Sequence, residues 1–217
     1  MDLFSAMKDR KSARAYLDKP VLRKDIDEII GFAGLAPSAM NLQPWEYVVT
    51  HGEEKNRLVR RLIKAREVRQ VPCGPGTIRP LPAKYSGRTR KSFFLMEPCI
   101  AELTKSFSAF IEMGSCSFYG APVAIIVVID RVFPKIRFLD IGISVSYLLL
   151  AAHAKGLATC PIGLITAYSE EIADSLNIPD EKEILLGIAL GYPDHASPAN
   201  RFKIPREDIK EIFRWYD

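Results

Sequence analysis

Histidine and cysteine are both scarce here: three histidines and four cysteines in 217 residues. His51 follows an apolar run. His153 sits inside a long apolar run and reads as a core residue. His195 lies in a loop. None belongs to a recognisable acid–base set, which argues against catalysis by side-chain proton transfer. The cysteines stand at 73, 99, 116 and 160, with no Cys-x-x-Cys pair and no histidine at metal-ligand spacing. A zinc site and a disulfide framework are therefore not expected. Buried thiols in a reducing cytoplasm are the simplest account. No run approaches the roughly 18 apolar residues of a membrane span. Residues 1–8 lack the apolar core of a signal peptide. A soluble, cytoplasmic protein is the expectation. Charge is not one-sided either, with 30 basic and 26 acidic residues and a net charge of +4. A nucleic-acid module needs a concentrated basic face, and these charges are interspersed.

What is present describes one sizeable domain over residues 1–217, with 48% hydrophobic residues to build a core. A short helix is expected over residues 2–9. A longer one follows Pro20, with Ile26, Ile29, Ile30 and Ala33 at helical spacing, ending before Pro37. Residues 47–50 read as a strand and 53–69 as a basic helix. Residues 71–92 carry Pro72, Gly74, Pro75, Gly76, Pro80, Pro82 and Gly87 among several cations. They read as a long basic loop, either a lid or a surface excursion. Helix is expected again over 93–113, begun or interrupted near Pro98. Residues 122–130 form a β-branched run typical of a buried central strand. An apolar helix over 139–155 is closed by Gly156. Further on come a strand over 158–164, a helix opened by Ser169, Glu170 and Glu171, a buried strand over 184–190, and a short amphipathic helix over 206–216. Strands separated by helices imply an α/β or α+β sheet core. The 139–155 helix is apolar almost all round, so it is either central to the core or buried in a subunit interface.

Three clusters stand outside this framework. Between a helix and a strand lies Ala36-Pro37-Ser38-Ala39-Met40-Asn41-Leu42-Gln43-Pro44-Trp45. A connector needs turn residues, not two amides beside a tryptophan. The loop is either a proline-stiffened turn with Trp45 in the core or a source of amide contacts for a flat polar ligand. Arg10-Lys11-Ser12-Ala13-Arg14 gathers three cations and a hydroxyl. It suits a phosphate, unless it is merely a solvated basic turn. Arg201-Phe202-Lys203 would place two cations on one side of an extended segment.

Together these clusters resemble the flavin-dependent nitroreductase family. The same order of motifs continues in Phe118-Tyr119-Gly120-Ala121-Pro122, Asp140-Ile141-Gly142, Gly156-Leu157-Ala158-Thr159-Cys160-Pro161-Ile162-Gly163 and Gly191-Tyr192-Pro193. Members similar to nitrobenzoate reductases match best. The resemblance covers nearly the whole chain except the stretch around 71–95. It implies an α+β, three-layer fold, a mixed central sheet with helices on both faces, in an intertwined homodimer. It also implies FMN as cofactor, with NADH or NADPH as electron donor. Arg10, Lys11, Ser12 and Arg14, helped by Arg201 and Lys203, would hold the phosphate and ribityl tail. Pro37, Ser38, Ala39 and Asn41 would meet the isoalloxazine ring, part of that loop coming from the partner subunit, with Gln43 close by and facing substrate. Pro161, Ile162, Gly163 and Leu164 would lie along the ring, a backbone N–H near Gly163 directed at flavin N5. Many members carry Glu where Gly163 stands. Phe118 and Tyr119 would wall the substrate pocket, or else pack in the core. Asp140 reads as a helix cap. The implied activity is ping-pong reduction of nitroaromatics, quinones or other electron-poor aromatics. The alternatives are a flavin-binding sensor or carrier without efficient turnover, and a reductase for a different substrate class in the same fold.

Overall fold

The computed structural model describes residues 1–74, 77 and 79–216. Its centre is a four-stranded sheet in the order β1 (Glu46–His51), β2 (Val123–Asp130), β4 (Lys182–Gly191), β3 (Ala158–Ile162). Each neighbouring pair is antiparallel. Among the described residues, the parallel part of the expected mixed sheet is a single bridge between Ser12 and Thr159.

Strand β2 explains the layering. Side chains alternate faces along a strand, and every residue from Val123 to Ile129 is buried. Val123, Ile125, Val127 and Ile129 enter one apolar cluster; Ala124, Ile126 and Val128 enter the other. A strand buried on both sides needs helices on both sides. The first side is covered by α2 (Arg23–Gly34), through Ile26, Ile29 and Ala33. It is also covered by α6 (Phe138–Ala154), through Ile141, Val145, Leu148 and Ala152. The second side is covered by α3 (Gly52–Arg69), with Leu58 and Leu62, and by α7 (Ser169–Leu176), with Ile172. Burying each such aliphatic side chain contributes roughly 1.5–3 kcal/mol. Gly187 is required within this packing: a Cβ there would lie 2.2 Å from Ile165 Cδ1 and 3.1 Å from Phe118.

Helix α6 is apolar all round but buried only on one side. Leu139, Ile143 and Tyr147, four residues apart, are exposed by 64%, 39% and 43%. Residues Lys135–Ala154 are apolar and long enough by composition to cross a membrane, which the sequence reading did not anticipate. Here the helix is a core element that carries buried Asp140 and Ser144 and packs on α2 and β3. Gly156 ends it with φ +75°, its N–H donating to His153 O at 3.0 Å.

Two expectations need correction. The basic stretch over 71–92 is not all loop. Helix α4 runs Ala83–Ala101, so the irregular part among the described residues ends at Pro82. Proline is tolerated at a helix start, where its missing N–H costs nothing. Residues 83–97 contain no further proline to stop the helix, and Pro98 sits inside α4 instead of beginning it. Pro75, Gly76 and Ile78, also counted in that loop, lie outside the described residues. Helix α5 (Phe107–Cys116) follows after a short break. The C-terminal helix over 206–216 is only a 3-10 turn at Ile209–Glu211. Ile209, Ile212, Phe213 and Trp215 remain exposed, and an amphipathic pattern makes no helix without a surface to pack on.

Candidate functional site

Helix α1 (Leu3–Asp9) ends at Arg10, where ψ turns to 130°. The chain then runs extended along the start of β3. Ser12 bridges Thr159, Ala13 N–H donates to Thr159 O at 3.0 Å, and Tyr16 bridges Pro193. Ala13 is buried at 2% exposure, so alternation sends Arg10, Ser12 and Arg14 to the other side. There they line a pocket of about 390 Å³ with Lys8, Lys11, Phe202, Lys203 and Arg206.

Six of the lining residues are cations, and no carboxylate lines the pocket among the described residues. Arg10 Nη1 and Arg14 Nε are buried without a hydrogen-bond partner among the described residues. Burial, and then nearby Arg206, push the Arg10 guanidinium below its ordinary pKa. An unpaired buried guanidinium is costly. Both observations describe a site shaped for a multiply charged anion. The remaining polarity is organised by Asn200, 4% exposed. Its Oδ1 accepts from Arg14 N–H at 2.8 Å, and its Nδ2 donates to Ala15 O at 2.8 Å and Asp194 O at 2.9 Å. Its backbone carbonyl accepts from Lys11 Nζ. Asn200 thus ties the N-terminal segment to the loop that delivers Lys203 and Arg206. The Arg14 guanidinium stacks 5.7 Å from the Phe202 ring.

Arg10, Lys11, Ser12, Arg14 and Lys203 are therefore brought together. Arg201 is not. A 3-10 turn at Pro198–Asn200 breaks the expected alternation, and Arg201 pairs instead with Glu102 at 3.0 Å outside the pocket. Arg206 and Asn200 were missed by sequence reasoning. Arg206 followed a proline and looked like an ordinary surface charge. Asn200 acts on backbone groups 185 positions away, as the Ala15 contact shows, and no local pattern signals that.

The loop over 37–43 is elsewhere. Pro37, Ser38, Ala39, Asn41 and Gln43 do not line this pocket. The loop is mostly exposed, Met40 by 91%. It holds three non-glycine residues at positive φ, Met40, Asn41 and Gln43, a conformation that stores strain. Gln43 N–H donates to Ser38 Oγ at 2.9 Å, and Gln43 Nε2 to Asn41 O at 3.3 Å. Trp45 packs at the edge of the α2–α6 cluster.

Strand β3 carries Pro161 and Ile162 away from the pocket, with Gly163 and Leu164 beyond its end. Four residues of strand from Thr159 to Gly163 span roughly 13 Å. Ile162 is buried, Pro161 and Leu164 are half-buried, and Gly163 is exposed. Phe118 is fully buried against Gly187. It is a core residue, not a pocket wall, because the turn before β2 points it into the sheet's second side. Tyr119 is half-buried, 6.0 Å from the Arg14 guanidinium, and burial pushes its phenol up to about 12. Burial also raises Cys116, to about 11, and Cys160. These groups stay protonated at neutral pH and offer no nucleophile.

Residues 7–192 match the model of the Nitroreductase family. The 4-nitrobenzoate reductase of Pseudomonas putida is 34% identical over 208 residues, covering 95% of this chain and 92% of that protein. Two solved structures share the architecture. The FMN and NADPH-dependent nitroreductase NfnB from sphigopyxis sp. strain HMH is 28% identical with a TM-score of 0.86, all of both chains covered. The FMN-dependent nitroreductase NfnB from Mycobacterium smegmatis, in complex with NADPH, is 25% identical with a TM-score of 0.89, covering 99% of this chain and 97% of that one. A cation pocket built on β3, the three-layer core and these matches lead to one statement: the chain belongs to the nitroreductase family.

Proposed function

We propose that the protein is an FMN-dependent NAD(P)H oxidoreductase that reduces nitroaromatics, quinones or similar electron-poor aromatics. The observation that carries this reading is the anion pocket, where two buried guanidinium nitrogens lack partners and six cations line a wall that holds no acid among the described residues, Lys203 alone pairing with Asp9 outside it at 3.6 Å. A flavin mononucleotide phosphate bears about two negative charges near neutral pH, and the residues present fit it. Arg10, Lys11, Ser12, Arg14 and Lys203 hold that phosphate, with Arg206 added and Arg201 removed from the set. FMN, when bound, supplies the hydride chemistry that no side chain here can perform.

Pro161, Ile162, Gly163 and Leu164 continue from the pocket as a backbone edge beside the ring. The exposed Gly163 leaves that edge uncrowded. The loop with Pro37, Ser38, Ala39, Asn41 and Gln43 completes a ring site in a homodimer, each protomer giving its loop to the other. Its exposure and its three left-handed residues support that role. So does the uncovered stripe of Leu139, Ile143 and Tyr147 on α6. Tyr119 and Gln43 face substrate, which takes the donor's place in ping-pong order. The enzyme works in the cytoplasm as a soluble dimer.

The test is an anaerobic absorption spectrum of the purified protein. A flavin band that NADPH or NADH bleaches and 4-nitrobenzoate restores is the expected result. A yellow protein that neither nucleotide bleaches would make it a flavin carrier. A colourless protein that FMN cannot reconstitute would overturn the cofactor assignment.

A further inference from the structure

A second pocket, of about 430 Å³, adjoins the first and shares Arg206 with it. Its other wall is α4. Arg88, Lys91 and Ser92 stand there three and four residues apart, which puts them on one face of the helix. Glu207 is the one acid in the lining among the described residues, and its carboxylate accepts from Arg88 Nε at 2.7 Å. Lys91 and Arg206 have no carboxylate partner among the described residues. Arg206 Nη1 donates to Ile204 O at 2.9 Å. With Arg206 given to the phosphate of the first pocket, Arg88 and Lys91 face Glu207 alone. The Arg88–Glu207 pair has side chains 38% and 31% exposed, and such exposed pairs hold together weakly. A stronger anion can displace Glu207 from Arg88. The side chain of Ile212, 68% exposed, adds an apolar edge.

We propose that this second pocket binds the 2′-phosphate of NADPH and makes the enzyme discriminate against NADH. The inference rests on the flavin reading above. A hydride donor must come to the molecule that the first pocket holds, and the second pocket is joined to the first through one arginine. A terminal phosphate monoester carries about two charges at neutral pH, which matches Arg88 and Lys91 once Glu207 is displaced. An adenine ring can lie against the Ile212 edge. NADH has a neutral hydroxyl at that position and gains nothing from Lys91 or Arg88.

The experiment uses the FMN-loaded protein and its Arg88→Ala/Lys91→Ala double variant, both changes being on the exposed side of α4. Calorimetric titration with adenosine 2′,5′-bisphosphate and with AMP reads the subsite without turnover. The wild type binds the bisphosphate more tightly. The double variant loses about tenfold or more of that affinity and binds AMP as before. In steady state the KM for NADPH rises by a similar factor while that for NADH is unchanged, and Glu207→Gln lowers the KM for NADPH. Equal binding of the two nucleotides by the wild type would overturn the inference. So would an equal loss for both in the double variant, which would assign the pocket to a diphosphate instead. A protein that takes up no FMN fails the flavin reading. One that takes up FMN and oxidises NADH but ignores the 2′-phosphate fails this inference alone.

Discussion

The anion pocket and the 37–43 loop are finished to different degrees within one chain. The pocket has its walls, its cations and a buried asparagine that makes four hydrogen bonds to hold them. The loop has an exposed methionine at its tip and backbone strain at three positions. Strained, exposed structure is maintained where something else completes it. On the flavin reading proposed above, the difference teaches that phosphate grip would be a property of the folded chain, whereas a ring site would await a second surface.

The largest expected effect comes from denying that second surface. Ile143→Asp places a charge in the middle of the exposed α6 stripe. It should give a monomer that retains no flavin, read by light scattering and absorbance after gel filtration. A monomer that still holds FMN tightly would break the comparison. Arg14→Ala attacks the finished half. FMN affinity should fall by about 100-fold, from losing roughly 2–3 kcal/mol of charge-assisted bonding, measured by flavin fluorescence quenching. The ligand-free variant should melt at a higher temperature than wild type, because a half-buried charge whose Nε has no partner among the described residues has been removed. Asn200→Ala should destabilise the protein by about 2 kcal/mol in urea unfolding, leaving Arg14 N–H and Asp194 O without partners, while Ala15 O keeps its bond from Asp194 N–H. Met40→Gly sharpens the view of the loop. It relieves a left-handed φ of 53° and should stabilise the ligand-free protein by up to about 1 kcal/mol.

The smallest effect is a pH dependence. His153 Nε2 is buried and unpartnered among the described residues. Burial first, then Arg10, lower its pKa, with Asp9 opposing. Between the lowered folded value and the ordinary value near about 6.5, the unfolded chain binds more protons. Stability therefore rises with pH through that window and is lost as pH falls. His153→Gln should flatten the thermal midpoint just below the ordinary imidazole pKa.

Much of the core was legible because it obeys period. Ile26, Ile29 and Ala33 mark the buried side of α2, and the β-branched run 123–129 is the doubly buried strand. Helix α4 was half hidden. Its first turns carry Lys84, Ser86, Arg88, Thr89 and Arg90, with no apolar stripe, directly after a proline-rich stretch. The C-terminal segment shows the opposite failure: Ile209, Ile212 and Phe213 have helical spacing, but this chain offers them no surface. At the site, clustering of cations was readable, while direction was not. Lys203 enters the pocket and Arg201 leaves it because Arg201 still closes the preceding 3-10 turn in a helical conformation, so extended alternation cannot begin at it. Phe118 and Tyr119 are neighbours beside the same apolar cluster, and only the turn before β2 decides that the first is fully buried and the second half-buried.

The bridge from Ser12 to Thr159 fastens the cation cluster to the same strand that ends at Ile162, one residue before Gly163. On the proposed flavin reading, the strand would work as a ruler, measuring a ligand from its charged end to its flat end in whole residues. A single residue inserted between them would both lengthen the scale and turn Pro161, Ile162 and Gly163 to the opposite face. Tolerance of substitution along β3 and intolerance of any change in its length would be the trace of that measurement.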